Sequence, residues 1–434
     1  MIITIEKIVV LSIIYLLWLW WSTGAATILV KAQSDSLKPG DTMNNSFILH
    51  SKQGKYYLSF ANSDGYNNDR YLCIFNTAGG KINVVWTYDR NHPINSAVLS
   101  LDYSGVLKIE FQNRKLPIII YSSPQPVNNT VATMLDTGNF VLQQMHPNGT
   151  KSILWQSFDY PTDTMIPTMK LGVNRKTGHN WSLVSMITDS LVSSGEFSLE
   201  WEPKEGELNI KYRGKLYWKS GKLRSNGLFE NIPEEVQRGY RYVIVSNMDE
   251  DSFAFEANVK KFIGWELFPT GQLWSTEGEI ANADMCYGYN SDGGCQKWED
   301  KPTCREPGEM FQTKIGSPDY DNATSEDNAI HVYGDCKAFC WRNCNCTGFK
   351  EYFANGTGCI FYSWSSTKDL NFGDNGNFHV LVKPTKAAPN VTHGKSYYVY
   401  IGFKCSTSFI TTSNKNLLLI YFKPLLQMYF EYMP

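Results

Sequence analysis

The chain has 434 residues and a formal net charge of −2, with 19% charged and 14% aromatic residues. A chain of this length accommodates two to four domains at about 100–200 residues each. The near-neutral charge excludes the basic face of a nucleic-acid-binding protein and the acidic excess of a disordered tail. The many aromatic residues suit packed β cores.

The N-terminal segment 1–32 has the pattern of an export signal. Glu6 and Lys7 precede an uncharged stretch from Ile8 to Trp21, and small residues follow at 22–26. A charged start, an apolar middle and a small-residue end are typical of a cleaved signal peptide. The uncharged stretch is also long enough for a signal anchor, which is the alternative. We therefore expect a protein that is secreted or held at the cell surface.

Short alternating strands joined by Asp/Gly turns predict an all-β body. The segment 99–109, L-S-L-D-Y-S-G-V-L-K-I, turns at Ser104-Gly105, and the segment 132–142, A-T-M-L-D-T-G-N-F-V-L, repeats this design. Glycine tolerates positive φ and aspartate caps its own turn, so D-x-x-G between strands indicates a hairpin. A half-buried strand is predicted where apolar Phe197, Leu199 and Trp201 alternate with polar residues. These patterns predict two β domains of similar size.

Eight of the ten cysteines fall within the segment 286–359. Clustered cysteines behind an export signal indicate disulfides, and zinc is disfavoured because no histidine stands at finger-like spacing. Three of them recur at i, i+4 and i+8, which predicts one helix face carrying Cys336, Cys340 and Cys344. Asp335 is predicted to cap this helix. The cysteine pattern therefore predicts a small module in which a helix is linked to a sheet by disulfides.

Asn-x-Ser/Thr sequons occur along the whole chain and indicate N-glycosylation of an exported protein. The predicted acceptors are Asn44, Asn128, Asn148, Asn180, Asn322, Asn355 and Asn390. Asn345 is a further sequon between Cys344 and Cys346, where bridge formation can hide it. The pattern predicts a glycosylated surface.

Three signatures carry a family resemblance. The segment 155–172, W-Q-S-F-D-Y-P-T-D-T-M-I-P-T-M-K-L-G, closely resembles that of plant S-locus glycoproteins and S-domain receptor-like kinases. The segment 135–142, L-D-T-G-N-F-V-L, resembles the bulb-type lectin repeat, and the segment 335–349, D-C-K-A-F-C-W-R-N-C-N-C-T-G-F, resembles the PAN/apple module of those receptors. The signatures follow the family's order, and the resemblance spans about residues 34–383.

The resemblance implies a mainly β chain with tandem bulb-lectin-like β-prism domains, a cysteine-rich EGF-like remnant and an α+β PAN/apple module. The implied segments are 33–154 for the bulb-type lectin domain, 155–282 for the second, S-locus lectin-like domain, 283–306 for the degenerate EGF-like region, 307–383 for the PAN/apple module and 384–434 for a divergent tail.

The resemblance also implies a disulfide set. In the family's PAN pattern the outer cysteines pair with each other, which gives Cys336–Cys359 and Cys340–Cys346. Cys344 then reaches upstream to Cys304, and Cys286–Cys295 completes an even set, although the family's EGF-like stretch normally has more cysteines. Cys73 and Cys405 have no expected partner and are predicted to be thiols.

The family's mannose motif, Q-x-D-x-N-x-V-x-Y, defines the candidate ligand site. Asn139 and Val141 fit this motif, whereas Leu135, Thr137 and Gln143 replace its Gln, Asp and Tyr. Recognition of sugar hydroxyls depends on every polar partner being present. We therefore expect weak or no mannose binding, with Asn139 acting as a turn residue.

The sequence does not indicate catalysis. Asp159 and Asp163 flank Pro161, but a polar turn explains them better than the acid/base pair of a glycosidase. The kinase signatures G-x-G-x-x-G, H-R-D and D-F-G are absent from the sequence. We expect no enzyme activity, no metal and no other cofactor.

The leading hypothesis is an extracellular recognition module of the pollen-recognition or defence-perception type. Its expected partners are a secreted protein or peptide ligand, or a related receptor with which it associates as a homo- or hetero-oligomer, and not nucleic acid. The alternatives are a secreted carbohydrate-binding defence lectin, a cell-wall hydrolase and a non-functional receptor remnant.

Overall fold

The structure is a computed structural model that describes residues 34–62, 69–77, 82–111, 116–189, 191–257, 264–299, 301–315, 323–363 and 377–383. The predicted signal segment 1–32 and the tail 384–434 lie outside these residues. Over the described ranges, no helix is long and apolar enough to cross a membrane. Strands dominate these ranges, so the predicted mainly β fold is confirmed.

Twelve strands form the first unit, which we call the first prism. They are β1 (Ser36–Leu37), β2 (Thr42–Met43), β3 (Leu49–His50), β4 (Tyr56–Asn62), β5 (Arg70–Asn76), β6 (Asn83–Thr87), β7 (Ala97–Leu101), β8 (Leu107–Phe111), β9 (Ile118–Tyr121), β10 (Thr130–Met134), β11 (Phe140–Met145) and β12 (Lys151–Gln156). These strands form three antiparallel four-stranded sheets, ordered β1-β10-β11-β12, β2-β7-β8-β9 and β3-β4-β5-β6.

The first three strands, β1 to β3, complete the three sheets of the first prism. These two-residue strands each join a different sheet, and each remaining sheet is a meander of three strands. The predicted hairpin at Ser104-Gly105 lies between β7 and β8, and the second predicted hairpin joins β10 to β11. In the first turn the Asp102 carboxylate accepts the backbone N–H groups of Ser104 and Val106, while Gly105 has a φ of 80°.

Twelve further strands form the second unit, the second prism. They are β13 (Thr164–Met165), β14 (Leu171–Asn174), β15 (His179–Trp181), β16 (Leu183–Thr188), β17 (Leu191–Glu202), β18 (Glu207–Tyr212), β19 (Lys215–Lys219), β20 (Tyr240–Ser246), β21 (Glu250–Ala257), β22 (Trp265–Leu267), β23 (Gln272–Ser275) and β24 (Gly278–Asn282), with a short helix α1 (Glu234–Gln237) between β19 and β20. The sheets are β13-β22-β23-β24, β15-β14-β21-β20 and β16-β17-β18-β19.

The inner faces of these six sheets share one continuous apolar core. In β17 the alternation of Phe197, Leu199 and Trp201 is buried as predicted, because every second side chain of a strand faces the same way. Phe255 stacks on Trp265 with ring centroids 4.7 Å apart. The two prisms therefore bury apolar surface together as well as within themselves.

The third unit, the C-terminal module, packs one helix on a five-stranded sheet. Its strands are β25 (Met310–Ile315), β26 (Ala323–Glu326), β27 (Gly348–Glu351), β28 (Cys359–Tyr362) and β29 (Asn377–Val382), in the order β25-β29-β27-β28-β26, and its helix is α2 (Tyr333–Arg342). Its small core is a ring cluster of Tyr287, Trp298, Phe311, Trp341 and Phe349.

The predicted cysteine helix is present, but it begins before Asp335 and ends before Cys344. Val332 is its N-cap residue, and Asp335 lies three residues further on, where its carboxylate accepts the Val332 N–H. The helix ends at Arg342, so Cys344 lies beyond it and shares no helical face with Cys336. The buried Arg305 guanidinium caps the C-terminus of the helix, because it donates hydrogen bonds to the carbonyl groups of its last residues.

Asp335 also ties the C-terminal module to the second prism. One carboxylate oxygen accepts the Tyr212 hydroxyl at 2.7 Å, and the other accepts the Arg213 guanidinium at 2.8 Å. A second contact joins the buried Lys337 ammonium to the Asp284 carboxylate at 2.7 Å. Both ion pairs bridge segments far apart in sequence, so they fix the module against β18 and the end of the second prism.

We expect Asp335→Ala to lower the free energy of unfolding by about 3 kcal/mol. The substitution removes the carboxylate that accepts the Val332 N–H at the start of the helix, the Tyr212 hydroxyl and the Arg213 guanidinium. Tyr212→Phe removes one hydroxyl from the same junction and should cost only about 1 kcal/mol. Urea unfolding followed by tryptophan fluorescence measures both. Equal effects of the two substitutions would contradict the role assigned to the carboxylate.

Candidate functional site

The predicted sugar motif occupies the turn between β10 and β11. The Leu135 N–H donates to the Asn139 carbonyl at 2.9 Å, and Gly138 takes a φ of 88°. A Cβ at Gly138 would stand 2.6 Å from Ile166, so the turn requires glycine. Thr137 lies exposed at the tip, and its hydroxyl accepts the Asn139 N–H at 3.4 Å.

Asn139 faces inward and is only 8% exposed. Its amide nitrogen donates to the Gln156 side-chain oxygen at 2.9 Å. Its amide oxygen accepts the Ser157 hydroxyl at 3.1 Å and the Phe158 N–H at 3.3 Å. The amide therefore binds the chain's own next segment, which supports the assignment of Asn139 as a structural turn residue.

The other motif positions offer no set of sugar ligands. Val141 is fully buried, and Leu135 and Gln143 are half-buried. The carboxylate that the family motif places at position 137 is replaced by a threonine hydroxyl. Since a buried polar set discriminates sugars only when it is complete, weak or no mannose binding at this turn stays our prediction.

We expect Asn139→Ala to destabilise the first prism by about 2–3 kcal/mol, because the Ser157 hydroxyl and the Phe158 N–H lose their acceptor. Gln143→Ala in the same motif is the matched control and should change stability by about 0.5 kcal/mol or less. Thermal unfolding gives both values, and titration with methyl mannoside should give no heat for any form. Loss of mannose binding without loss of stability in Asn139→Ala would reverse the assignment.

Asp159 and Asp163 lie in the segment that connects the two prisms, and their contacts fix its position. The Asp159 carboxylate accepts the Gln156 amide at 3.0 Å and the Trp181 indole N–H at 3.3 Å. The Asp163 carboxylate stands 3.6 Å from the Arg90 guanidinium, and its carbonyl accepts the Leu267 N–H at 2.8 Å. These contacts support the polar-turn interpretation of the pair rather than an acid/base role.

An electrostatic cluster lies beside Asp163. Burial raises the pKa of Glu266 from its ordinary 4.5 to about 8, and the negative charges of Asp163 and Asp189 act in the same direction. Burial also lowers the pKa of the Arg90 guanidinium, against the attraction of Asp163. Between pH 4.5 and about 8, Glu266 is therefore mainly protonated in the native chain and mainly ionised in the unfolded chain.

The raised pKa of Glu266 predicts a pH-dependent stability. Between pH 4.5 and about 8 the native state binds more protons than the unfolded state, so this group's contribution to stability falls as pH rises. Glu266→Gln should match the parent near pH 5 and exceed it progressively toward pH 8. Melting curves from pH 5 to 8.5 test this, with exposed Glu299→Gln as the control. A pH-independent difference would refute the predicted pKa.

Four disulfides are formed, with the pairings that the resemblance implies: Cys286–Cys295, Cys304–Cys344, Cys336–Cys359 and Cys340–Cys346. Cys336–Cys359 links α2 to β28, and Cys340–Cys346 links α2 to the chain that follows it. Cys304–Cys344 joins that following chain to the segment upstream of β25, and Cys286–Cys295 closes a short loop after β24. Cys73 is a buried free thiol on β5, with the Thr87 hydroxyl 3.7 Å from its sulfur. Cys405 lies outside the described residues.

Most of the sequons lie on the surface. Asn44, Asn128, Asn148, Asn180 and Asn345 are exposed, whereas Asn355 is half-buried. The Asn355 carbonyl accepts the Thr188 hydroxyl at 2.6 Å, which adds a contact between the C-terminal module and the second prism. Asn322 and Asn390 lie outside the described residues, and glycosylation at all these positions stays a prediction.

Comparison with known proteins identifies the class. The family model described as D-mannose binding lectin matches residues 83–186, a range that crosses from β6 into β16. A two-domain agglutinin from Scilla campanulata aligns with 56% of this chain and 99% of its own, at 13% identity and a TM-score of 0.18. The family-model match shows that the chain contains a bulb-type lectin domain.

The relatives identify the group within that class. A G-type lectin S-receptor-like serine/threonine-protein kinase of Arabidopsis thaliana, CES101, is 27% identical over 78% of this chain and 44% of its own length. The S-locus-specific glycoprotein BS29-2 of Brassica oleracea var. alboglabra is 25% identical over 64% of this chain and 75% of its own length. The S-domain resemblance is therefore confirmed, and the family model that matches within it is that of a lectin.

The chain spans about 38–44% of the length of the first three receptor kinases that it matches. The whole receptors' activities do not follow for this chain from the match.

Proposed function

We propose that this chain acts as an extracellular recognition ectodomain that binds a secreted protein or peptide, or a related receptor of the S-domain type. The observation that carries the proposal is the inward-facing Asn139 amide in a motif without its carboxylate, on a scaffold whose relatives are receptors and S-locus glycoproteins. A lectin scaffold that lacks its sugar ligands retains rigid sheets and exposed loops, which suit protein recognition.

The contacts between units support a rigid receptor-like body. The prisms share a core, and the C-terminal module is held to the second prism by the Asp335 and Lys337 ion pairs. We infer that this module is the PAN/apple unit and that residues 283–306 are the degenerate EGF-like stretch. A soluble chain of this kind could compete for the ligand of a full receptor in pollen recognition or defence perception.

The alternative is a secreted defence lectin, which the description of the matching family model, D-mannose binding lectin, favours. The exchanged side chains at Leu135, Thr137 and Gln143 argue against this alternative at the β10–β11 turn. A hydrolase is disfavoured because Asp159 and Asp163 are engaged in turn contacts.

The test measures receptor association directly. The full chain is purified from the secretions of plant cells and immobilised, and the analytes are a second copy of the chain and the ectodomain of the Arabidopsis relative CES101. We expect saturable binding of at least one analyte at micromolar concentration. Methyl mannoside should leave this binding unchanged even at about 100 times the dissociation constant of a mannose site, where it would compete by about 2.7 kcal/mol.

A deglycosylated analyte is the matched control. Protein recognition predicts the same affinity with and without glycans on the analyte. Loss of binding on deglycosylation, or inhibition by methyl mannoside, would favour the lectin alternative, and no binding of either analyte would contradict receptor association.

A further inference from the structure

The sheet edges of the two prisms are short or irregular, with one exception. An edge strand presents unpaired backbone N–H and C=O groups, to which another strand can bind unless the edge is short, bulged or charged. Over the described residues, each of the six prism sheets has two edge strands. Five of these strands have only two or three residues: β1, β2, β3, β13 and β15. Six pair through a shifted register, as at a β-bulge: β6, β9, β12, β16, β19 and β24. The exception is β20.

Strand β20 is a long and regular edge. Its seven residues, Tyr240–Ser246, pair one to one with β21 without a register shift, and β20 is the last strand of its sheet. Its sequence, Y-R-Y-V-I-V-S, is rich in aromatic and β-branched residues, which favour strands, and contains no proline. Its one charged side chain is paired, because the Arg241 Nε donates to the Glu256 carboxylate at 3.0 Å. This edge is therefore open to a further strand.

The backbone of β20 presents hydrogen-bonding groups on its outer side. The Asn247 N–H donates to the Glu250 carbonyl at 2.9 Å, so these two residues form a hydrogen-bonded pair at the turn after the strand. In an antiparallel ladder such pairs recur at every second residue. The N–H and C=O groups of Tyr242, Ile244 and Ser246 therefore point away from β21. Among the described residues, no strand pairs with this side of β20.

An exposed apolar side chain lies at the centre of this edge. Ile244 is 43% exposed, and Met248 in the turn that follows is 90% exposed. Tyr242 instead packs inward against Phe229, with ring centroids 5.0 Å apart, so the start of the strand is fixed to the core. A strand added to β20 would gain apolar contact at Ile244 in addition to main-chain hydrogen bonds.

The outer edge of β20 is complementary to itself. In an antiparallel pair with a two-fold axis at Ile244, this residue meets Ile244 of the second copy, and Tyr242 meets Ser246 of the second copy. Both residues of each such pair point their backbone groups outward, so each pair exchanges two N–H···O bonds. Between these pairs, Val243 meets Val245 of the second copy, and two β-branched side chains are a favourable cross-strand pair. A two-fold interface requires this kind of self-complementarity.

We propose that two copies of this chain associate by antiparallel pairing of their β20 strands, with Ile244 at the two-fold axis. The pairing joins two four-stranded sheets into one continuous sheet. Each Arg241 then lies opposite Asn247 of the second copy, so like charges do not meet. The inference rests on the proposed receptor association, to which it gives a surface and a partner. A single strand pair is a small interface, so the dimer forms at micromolar concentrations.

Sedimentation velocity of the full chain, purified from the secretions of plant cells, tests the pairing at about 1–100 µM. The parent should dimerise, and Ile244→Lys and Ile244→Glu should each weaken dimerisation at least tenfold, because like charges then face each other at the axis. An equimolar mixture of these two variants should dimerise again, since opposite charges then meet. Because Ile244 is partly exposed, the fold should survive, and melting curves of the same samples verify this.

Ile315→Lys is the matched control. It places the same charge on a 62% exposed isoleucine of another edge strand, β25, and should dimerise as the parent does. Three results would overturn the proposal: a parent that stays monomeric over the whole range, a dimer that both Ile244 variants leave intact, and a mixture of these variants that stays monomeric.

The outcome for the proposed function is read separately from the CES101 ectodomain. If the parent stays monomeric but binds that ectodomain, the β20 dimer is refuted and receptor association stands. If Ile244→Lys also abolishes that binding, the edge belongs to a different receptor and the second copy is refuted as its partner. A dimer that the Ile244 variants disrupt supports both.

Discussion

The segment from Trp155 to Ile166 is the joint on which the arrangement of the two prisms depends. Its apolar side chains enter the shared core, where Met165 and Ile166 are fully buried. Its backbone carbonyls bind both prisms, since that of Tyr160 accepts the indole N–H of first-prism Trp86 and that of Thr162 accepts the N–H of second-prism Val184. The joint coincides with the family signature, which is therefore explained by packing and hydrogen bonding rather than by catalysis.

The same joint accounts for the state of the sugar motif. The Asn139 amide oxygen accepts hydrogen bonds from the Ser157 hydroxyl and the Phe158 N–H, so the one polar residue retained from the family motif stabilises the connection to the second prism. The Asp159 carboxylate is engaged on the other side of the joint by Trp181. One joint therefore explains both the packing of the two prisms and the inward orientation of the Asn139 amide.

The sequence predicted what depends on local physics. The hairpins at Gly105 and Gly138 followed from alternation and turn chemistry, because both act within a few residues. The disulfide pairings came from resemblance alone. What could not be predicted are contacts made only in the folded chain: Asp335 meets Tyr212 across 123 positions, and Arg90 meets Val184 across 94. The early end of α2 was missed for the same reason, since a distant guanidinium binds its last carbonyls.

We propose that this chain is an exported, disulfide-bonded recognition ectodomain. Peptide mapping by mass spectrometry of the protein recovered from the extracellular fluid of expressing plant cells tests both export and disulfide formation. We expect glycosylated protein in that fluid, with Cys336 linked to Cys359 and Cys340 linked to Cys346. Protein found only inside the cells, with these four cysteines as free thiols, would contradict it.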